Sequence, residues 1–531
     1  MKKTIKIKKM KKFIFSVIFL IVAVLTQAQG PGQTQTFVNP VIEMDFPDPD
    51  IIRVGGDYYM LSTTMHHFPG APILHSKDLI NWEYCSAPLA TLIDQDDYNL
   101  LGGKDRYHVG MWASALKYHD GTFYLLINTN DVGSWILTAN DIKGPWSKRQ
   151  LDRLYYDSNF MFDDDGRIYI VSGYNKISVS EVDGDFNHIR TELVIDQDNT
   201  GLEGNHLYHI GDYYYIYSTY GGLPSGQTVF RSRSPWGPFD EERVLIEKEI
   251  DGKINTVHQG ALVQTPSGEW WTMLFEDQGA VGRLPNLQPV TWKDEWPIIG
   301  DNGKPYVVCR IPDTGKTFVG QSAMPVDDDF SSDILNPQWE WNHQPDTAAY
   351  SMTKRKGYLR LYTSGIANNL KYARNTITQR IPGYRTGKDV SATVKIDVSN
   401  LADGDHCGLT IFQDPYAYVG VAKDGNKLMM EWGRDTISVH NDELSEMKQP
   451  KRLKIKSKKR ISSVFLRATF SHSKQTATFS YSTDGKTFIP IGEPTQQWFN
   501  LSVFVGSRFG IYNYATKKEG GFVDVDDFSV I

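Results

Sequence analysis

Cysteine is scarce in this chain of 531 residues: Cys85, Cys309 and Cys407 are far apart and odd in number. No Cys-x-x-Cys occurs, so neither a zinc site nor a disulfide framework is implied and free thiols are expected. Helical periodicity is nearly absent. The longest apolar run, Phe13 to Leu25, has 13 residues, short of the roughly 20 that a membrane-spanning helix needs. Basic charge is also in deficit. The formal net charge is −7, and seven lysines between Lys2 and Lys12 are included in it. Without those lysines, 49 basic side chains face 63 acidic ones, a net −14. That balance argues against nucleic acid or an anionic membrane as partner and favours a neutral ligand. The Gly-x-Ser-x-Gly elbow, His-Glu-x-x-His and the Gly-x-x-x-x-Gly-Lys-Ser/Thr phosphate loop are all missing, which removes three large enzyme classes.

What is present begins with a leader. The lysines, the apolar run and Thr26-Gln27-Ala28 read as a signal peptide over 1–28, cleaved after Ala28. Its charge pattern implies a secreted or periplasmic mature protein with no membrane insertion. Nothing in the sequence addresses oligomeric state.

The 28 Tyr, 25 Phe and 13 Trp favour strands and stacking surfaces. One pattern recurs five times: Gly56-Asp57-Tyr58-Tyr59, Asp120-Gly121-Thr122-Phe123, Asp165-Gly166-Arg167-Ile168, Gly211-Asp212-Tyr213-Tyr214 and Ser267-Gly268-Glu269-Trp270. Each is a tight turn feeding an aromatic strand. The spacing of about 45 to 65 residues suits four-stranded propeller blades. Three segments, Ser76 to Trp82, Asp141 to Trp146 and Ser234 to Phe239, read as blade-closing turns. The expected architecture is all-β: a five-bladed β-propeller over 29–300, a linker over 301–325 and a β-sandwich of jelly-roll or concanavalin-like type over 326–531. The sandwich shows clean period-2 alternation, as in Asp389 to Ile396.

Innermost propeller strands line the central channel, so acids at blade starts converge there. Asp48 lies between Pro47 and Pro49 and is expected to be held extended at the entrance of the first blade. Asp157 opens the third blade and Glu203 the fourth. A carboxyl of raised pKa beside an ionised one is the arrangement glycoside hydrolysis needs. Asp163-Asp164-Asp165-Gly166 reads as a turn. His258 is read at the channel axis holding water or a cation, with a structural histidine as the alternative. Arg283 would donate to sugar hydroxyls or to a catalytic carboxylate, the alternative being a surface ion pair. The basic stretch Lys451 to Arg460 reads as a solvated strand face.

These residues resemble glycoside hydrolase family 43. The resemblance runs from about Phe37 to Trp296, through Pro47-Asp48-Pro49, Phe68-Pro69-Gly70, Trp112-Ala113, Asp157, Leu202-Glu203-Gly204, His258-Gln259-Gly260 and Leu287-Gln288-Pro289. The C-terminal part, with Trp339-Glu340-Trp341 and Val525-Asp526-Asp527-Phe528, is similar to the concanavalin-like sandwich appended to such enzymes. The resemblance implies that Asp48 is the general base, Glu203 the general acid and Asp157 the group that raises and orients Glu203. It implies an inverting reaction, in which carboxyl groups roughly 6.5–9.5 Å apart admit a water. Phe68 and Trp112 would wall the sugar pocket, the alternative for both being the core. The family's usual Asp-Pro-Ser, aromatic before Phe68 and Gly-Pro-His read here Asp157-Ser158-Asn159, His67 and Gly204-Asn205-His206, which leaves the trio intact and opens the identity of the sugar.

The implied activity is exo-acting release of terminal xylose or arabinofuranose from plant cell-wall oligosaccharides, leaning to β-xylosidase; the rival is a non-catalytic glycan-binding propeller. No cofactor is required and no catalytic metal is expected. Asp327-Asp328-Asp329 and Asp524 to Asp527 could meet at one edge of the sandwich and hold a structural calcium, the equal alternative being solvated strand ends.

Overall fold

A computed structural model describes residues 35–438, 450–455 and 461–531. The expected signal peptide lies outside the described residues, as do positions 456–460 of the basic stretch. Phe37–Ile531 forms a single compact unit.

Five consecutive four-stranded antiparallel sheets follow one another along the chain. Their inner strands are Asp50–Val54, Ala115–His119, Asn159–Phe162, Leu202–Ile210 and Val257–Gln264. Each recurring turn of the sequence joins an inner strand to the second strand of its blade, as between Asp50–Val54 and Asp57–Leu61. The Trp-bearing turns come between third and fourth strands: Ser76 Oγ accepts from Leu79 N (3.0 Å) and Trp82 Nε1 donates to Leu79 O (3.0 Å). Inner strands are packed by neighbouring blades on both faces, so Val257–Gln264 is buried almost throughout and shows no alternation. Among the described residues no strand is exchanged between blades: each blade is made of strands that follow one another along the chain, with only His67–Phe68 leaving blade 1 between its second and third strands. Blades 1 and 5 meet through contacts such as Arg53 Nε to Gln264 O (2.7 Å).

The sandwich has an eight-stranded and a seven-stranded antiparallel sheet among the described residues. Its core is made by the alternating inward residues of both, with Val390, Ala392, Val394 and Ile396 on one strand. Leu359 and Leu361 are buried in it, while Arg360 turns outward to Asp524 (2.7 Å). Propeller residues Ala280, Val281 and Leu284 belong to that same core. In return, His67–Phe68 adds to the edge of the eight-stranded sheet, with Phe68 opposite Trp341. The expected linker lies along the propeller: Val307 O accepts from Asn39 N (2.8 Å), and Gln321 Nε2 donates to Val41 O (3.1 Å).

Candidate active site

Asp48 is not extended. Its φ is +52°, in the left-handed region, which Asp tolerates better than most residues because its short polar side chain finds local partners. Here those partners are Thr63, whose Oγ1 donates to Asp48 Oδ2 (2.7 Å), and Arg283, whose Nη1 donates to Asp48 Oδ1 (2.8 Å). Two bonds to a carboxylate, one of them from a buried guanidinium, offset a backbone strain of about 1–2 kcal/mol. Asp157 repeats the device, with φ +48° and its Oδ2 accepting from Gly204 N (2.5 Å).

Glu203 and Gln259 are aimed by bulges. Register shifts fall between Glu203 and His206 in blade 4 and between His258 and Gly260 in blade 5. A bulge tilts the strand and redirects its side chains. Gly204, at φ +64°, has no room for a side chain: a Cβ there would press on Gln259 and Thr219. Gly221 lies flat against the acid, and a Cβ on it would overlap Glu203 Oε1. Tyr156 donates its hydroxyl to Glu203 Oε2 (3.3 Å).

The electrostatics separate the three acids. Burial and then the Asp48 charge push Glu203 up to about 7. Burial, Glu203 and Asp48 push Asp157 well above the usual carboxylate range. Asp157 and Glu203 therefore retain protons at a pH where a solvated carboxyl would have lost them. Beside Asp48 and Asp157 is a cavity of about 10 Å³, lined also by Ser114, His206 and Gln259 among others. It has room for about one water.

The sandwich roofs the site. Phe504, on the loop before strand Arg508–Ala515, stacks on Trp112 with ring centroids 5.1 Å apart and an interplanar angle of 22°. Its φ is +62°. Its carbonyl accepts from Arg283 Nη2 (3.1 Å), and the guanidinium lies 5.1 Å from its ring. One arginine thus joins the propeller's Asp48 to the sandwich's Phe504.

The sequence model of glycosyl hydrolases family 43 matches residues 37–297, and that of the β-xylosidase C-terminal concanavalin A-like domain matches 327–531. A β-xylosidase of Formosa agariphila is 32% identical, over 94% of this chain and 90% of its own length. The chain belongs to glycoside hydrolase family 43. A non-reducing-end α-L-arabinofuranosidase of Bacteroides ovatus is 31% identical, over 78% of this chain and 81% of its own. Among solved structures, a family 43 hydrolase with an engineered active site that displays both endo-xylanase and exo-arabinofuranosidase activity superposes with a TM-score of 0.85. Its identity is 29%, over 94% of this chain and 99% of that one.

Within this family 43 hydrolase the predicted residues have different fates. Asp48, Asp157, Glu203, Arg283 and Trp112 come together. Phe68 does not reach the pocket. It is 0% exposed, packed among Leu61, Ala71 and Tyr98, because its segment crosses to pair with the sandwich. His258 is not free to hold a water or cation at the axis: its Nδ1 meets Thr219 Oγ1 (2.9 Å) and its Nε2 meets Asp277 Oδ2 (2.9 Å). It bridges blades 4 and 5. Asp163 is in its expected turn, yet its carboxylate also takes Tyr214 Oη (2.6 Å). Thr63, Tyr156, Gly221 and Phe504 were not read from the sequence. Tyr156 adjoins Asp157, a weak signal; Phe504 carries none, since about 450 residues separate it from Asp48, to which Arg283 joins it.

The two acidic ends of the sandwich do meet, through Asp328 N and Phe528 O (2.9 Å). Several of their carboxylates are already engaged: Asp524 by Arg355 (3.1 Å) and Arg360 (2.7 Å), Asp328 by Trp339 Nε1 (2.8 Å), and Asp526 by Lys395. Among the described residues no group of three or more His, Cys, Asp or Glu is arranged to hold a metal, so these ends offer no calcium cage.

Proposed function

We propose that this exo-acting glycoside hydrolase is an inverting pentosidase that releases terminal xylose or arabinofuranose from plant cell-wall oligosaccharides, with β-xylose preferred. The observation that carries the reading is the division of labour among the acids. Asp48 lies in an ion pair, while Glu203 is held protonated to about pH 7 beside it. In this reading Asp48 takes a proton from water as the water oxygen attacks the anomeric carbon. Glu203 gives its proton to the departing glycosidic oxygen. Asp48 then returns its proton to solvent and Glu203 regains one, so the enzyme is reset without a covalent intermediate and without a cofactor.

Asp157 acts on the acid rather than the sugar: its Oδ2 accepts from the N–H of Gly204, the residue next to Glu203, and so fixes the backbone that carries the acid. Trp112 and Phe504 supply flat apolar surface for sugar C–H groups. The roofed site suits the end of a glycan chain, and the family 43 relatives named β-xylosidase and α-L-arabinofuranosidase support a pentose. The Lys-rich leader supports export as the route to such substrates.

The test is hydrolysis of phenyl β-xylopyranoside and phenyl α-L-arabinofuranoside, whose poor leaving group needs an acid, by wild type, Asp48→Ala and Glu203→Ala. Turnover of either by wild type, lost by at least about 100-fold in both variants, is expected, and the ratio of the two rates names the sugar. Turnover that persists in Asp48→Ala would remove the base assignment. No turnover by a wild type that still binds xylo-oligosaccharides would point to a glycan-binding propeller.

A further inference from the structure

Three residues before the base, Asp45 is 1% exposed and touches no space a sugar could reach. Its Oδ1 accepts from Arg283 N (2.8 Å) and its Oδ2 from Gly506 N (2.8 Å). Its own carbonyl accepts from Arg380 Nε (2.6 Å), and Arg380 is in turn paired with Glu340 (2.8 Å). Arg283 carries the guanidinium on Asp48. Gly506 is two residues beyond Phe504, whose carbonyl that guanidinium also holds. A closed ring results, from Asp45 to Arg283, to Phe504, to Gly506 and back to Asp45.

The surroundings have been cleared for this ring. A Cβ on Gly282 would overlap Asp45 Oδ1, and one on Gly506 would overlap Val281 O. Propeller and sandwich backbones approach here as closely as glycine allows. Only a carboxylate supplies what the gap requires, two acceptor oxygens for two backbone N–H groups; an amide offers one acceptor and turns a donor on the other N–H.

We infer that Asp45 is a positioning residue, tying the sandwich's aromatic roof to the arginine that holds the catalytic base. The effect on turnover rests on the hydrolase reading above; the structural coupling does not. Asp45→Asn keeps the shape and breaks one of the two bonds. In the full chain, amide hydrogen exchange is expected to rise about tenfold across 499–507 and 280–284, as for loss of one charge-assisted bond, and to stay unchanged in strand Tyr416–Asp424. Turnover of aryl β-xyloside should fall about tenfold in kcat/KM in Asp45→Asn and again in Phe504→Ala. If Asp45 acts through the roof, the double variant is no worse than about twofold below either single one. Exchange unchanged at 499–507, or raised everywhere, overturns the coupling; so does an additive loss of about 100-fold in the double variant. Asp45→Ser, with one short acceptor, serves if Asp45→Asn does not fold. A wild type without turnover would sink the hydrolase reading alone, since exchange still decides Asp45.

Discussion

Tyr156→Phe should move the alkaline limb of the pH–rate profile upward. The Tyr156 hydroxyl donates to Glu203 Oε2 at 3.3 Å. Burial, Asp157 and Glu203 push the phenol far above its ordinary range, so it remains a donor throughout the working range. A donor favours the charged form of its acceptor and lowers its pKa. In Glu203 this opposes the upward push of burial and Asp48 that leaves it at about 7. A hydrogen bond to a charged group is worth about 1.5–3 kcal/mol when short; at this length, about 0.5–1 kcal/mol is reasonable. At 1.36 kcal/mol per pH unit, losing it raises Glu203 by about 0.4–0.7 units.

The assay is kcat/KM between pH 5 and 9, roughly the window around the acid's titration, on a xyloside with a poor leaving group. A nitrophenolate departs without help from an acid and would hide the limb. Glu203→Gln, which has no proton to lose, is the control and should show no alkaline limb of this origin. A limb that stays put or moves down in Tyr156→Phe refutes either the role of Glu203 as acid or the cause assigned to its raised pKa.

Two further outcomes are expected. Gly221→Ala places a methyl group where Glu203 Oε1 now sits, so kcat/KM should fall by at least about 100-fold while Tm changes by only a few degrees; retained activity would show that the carboxyl has another seat. His67 is 0% exposed with neither ring nitrogen hydrogen-bonded, and burial, Arg508, His66, His343 and Arg380 hold it well below 6.5. Because its folded pKa is depressed, the stability tied to its neutral form is present above pH 6.5 and is lost as pH falls below it. The slope is about 1.4 kcal/mol per pH unit. His67→Leu abolishes that loss, so the stability gap between variant and wild type should move in the variant's favour as pH falls below 6.5, by at most about 1.4 kcal/mol per pH unit, read from denaturant midpoints; a gap independent of pH would contradict a buried neutral ring.

Much of the architecture was legible because it is periodic. Turn chemistry repeated before aromatic runs marks every blade, and alternation marks the sandwich strands. The trio was legible because Asp48, Asp157 and Glu203 each stand at the head of an inner strand. Phe68 shows where such reading fails. An aromatic beside a motif looks like a pocket wall, yet the same segment serves as an edge strand of the second domain, and nothing local distinguishes the two. His258 is similar: its neighbours in sequence could not reveal that Thr219 and Asp277 occupy both ring nitrogens.

By itself the sequence determined the all-β class, the five blades, the appended sandwich and the acids that head the strands, because these follow from patterns within short windows. Only the tertiary structure decided how those acids differ and what covers them. Glu203 is raised by burial and by Asp48, which lies 155 positions away along the chain. The roof is a phenylalanine delivered by another domain and held by Arg283 and Asp45. Desolvation and Coulomb energy depend on distance in space, and a linear chain specifies that distance only once all its surfaces have packed.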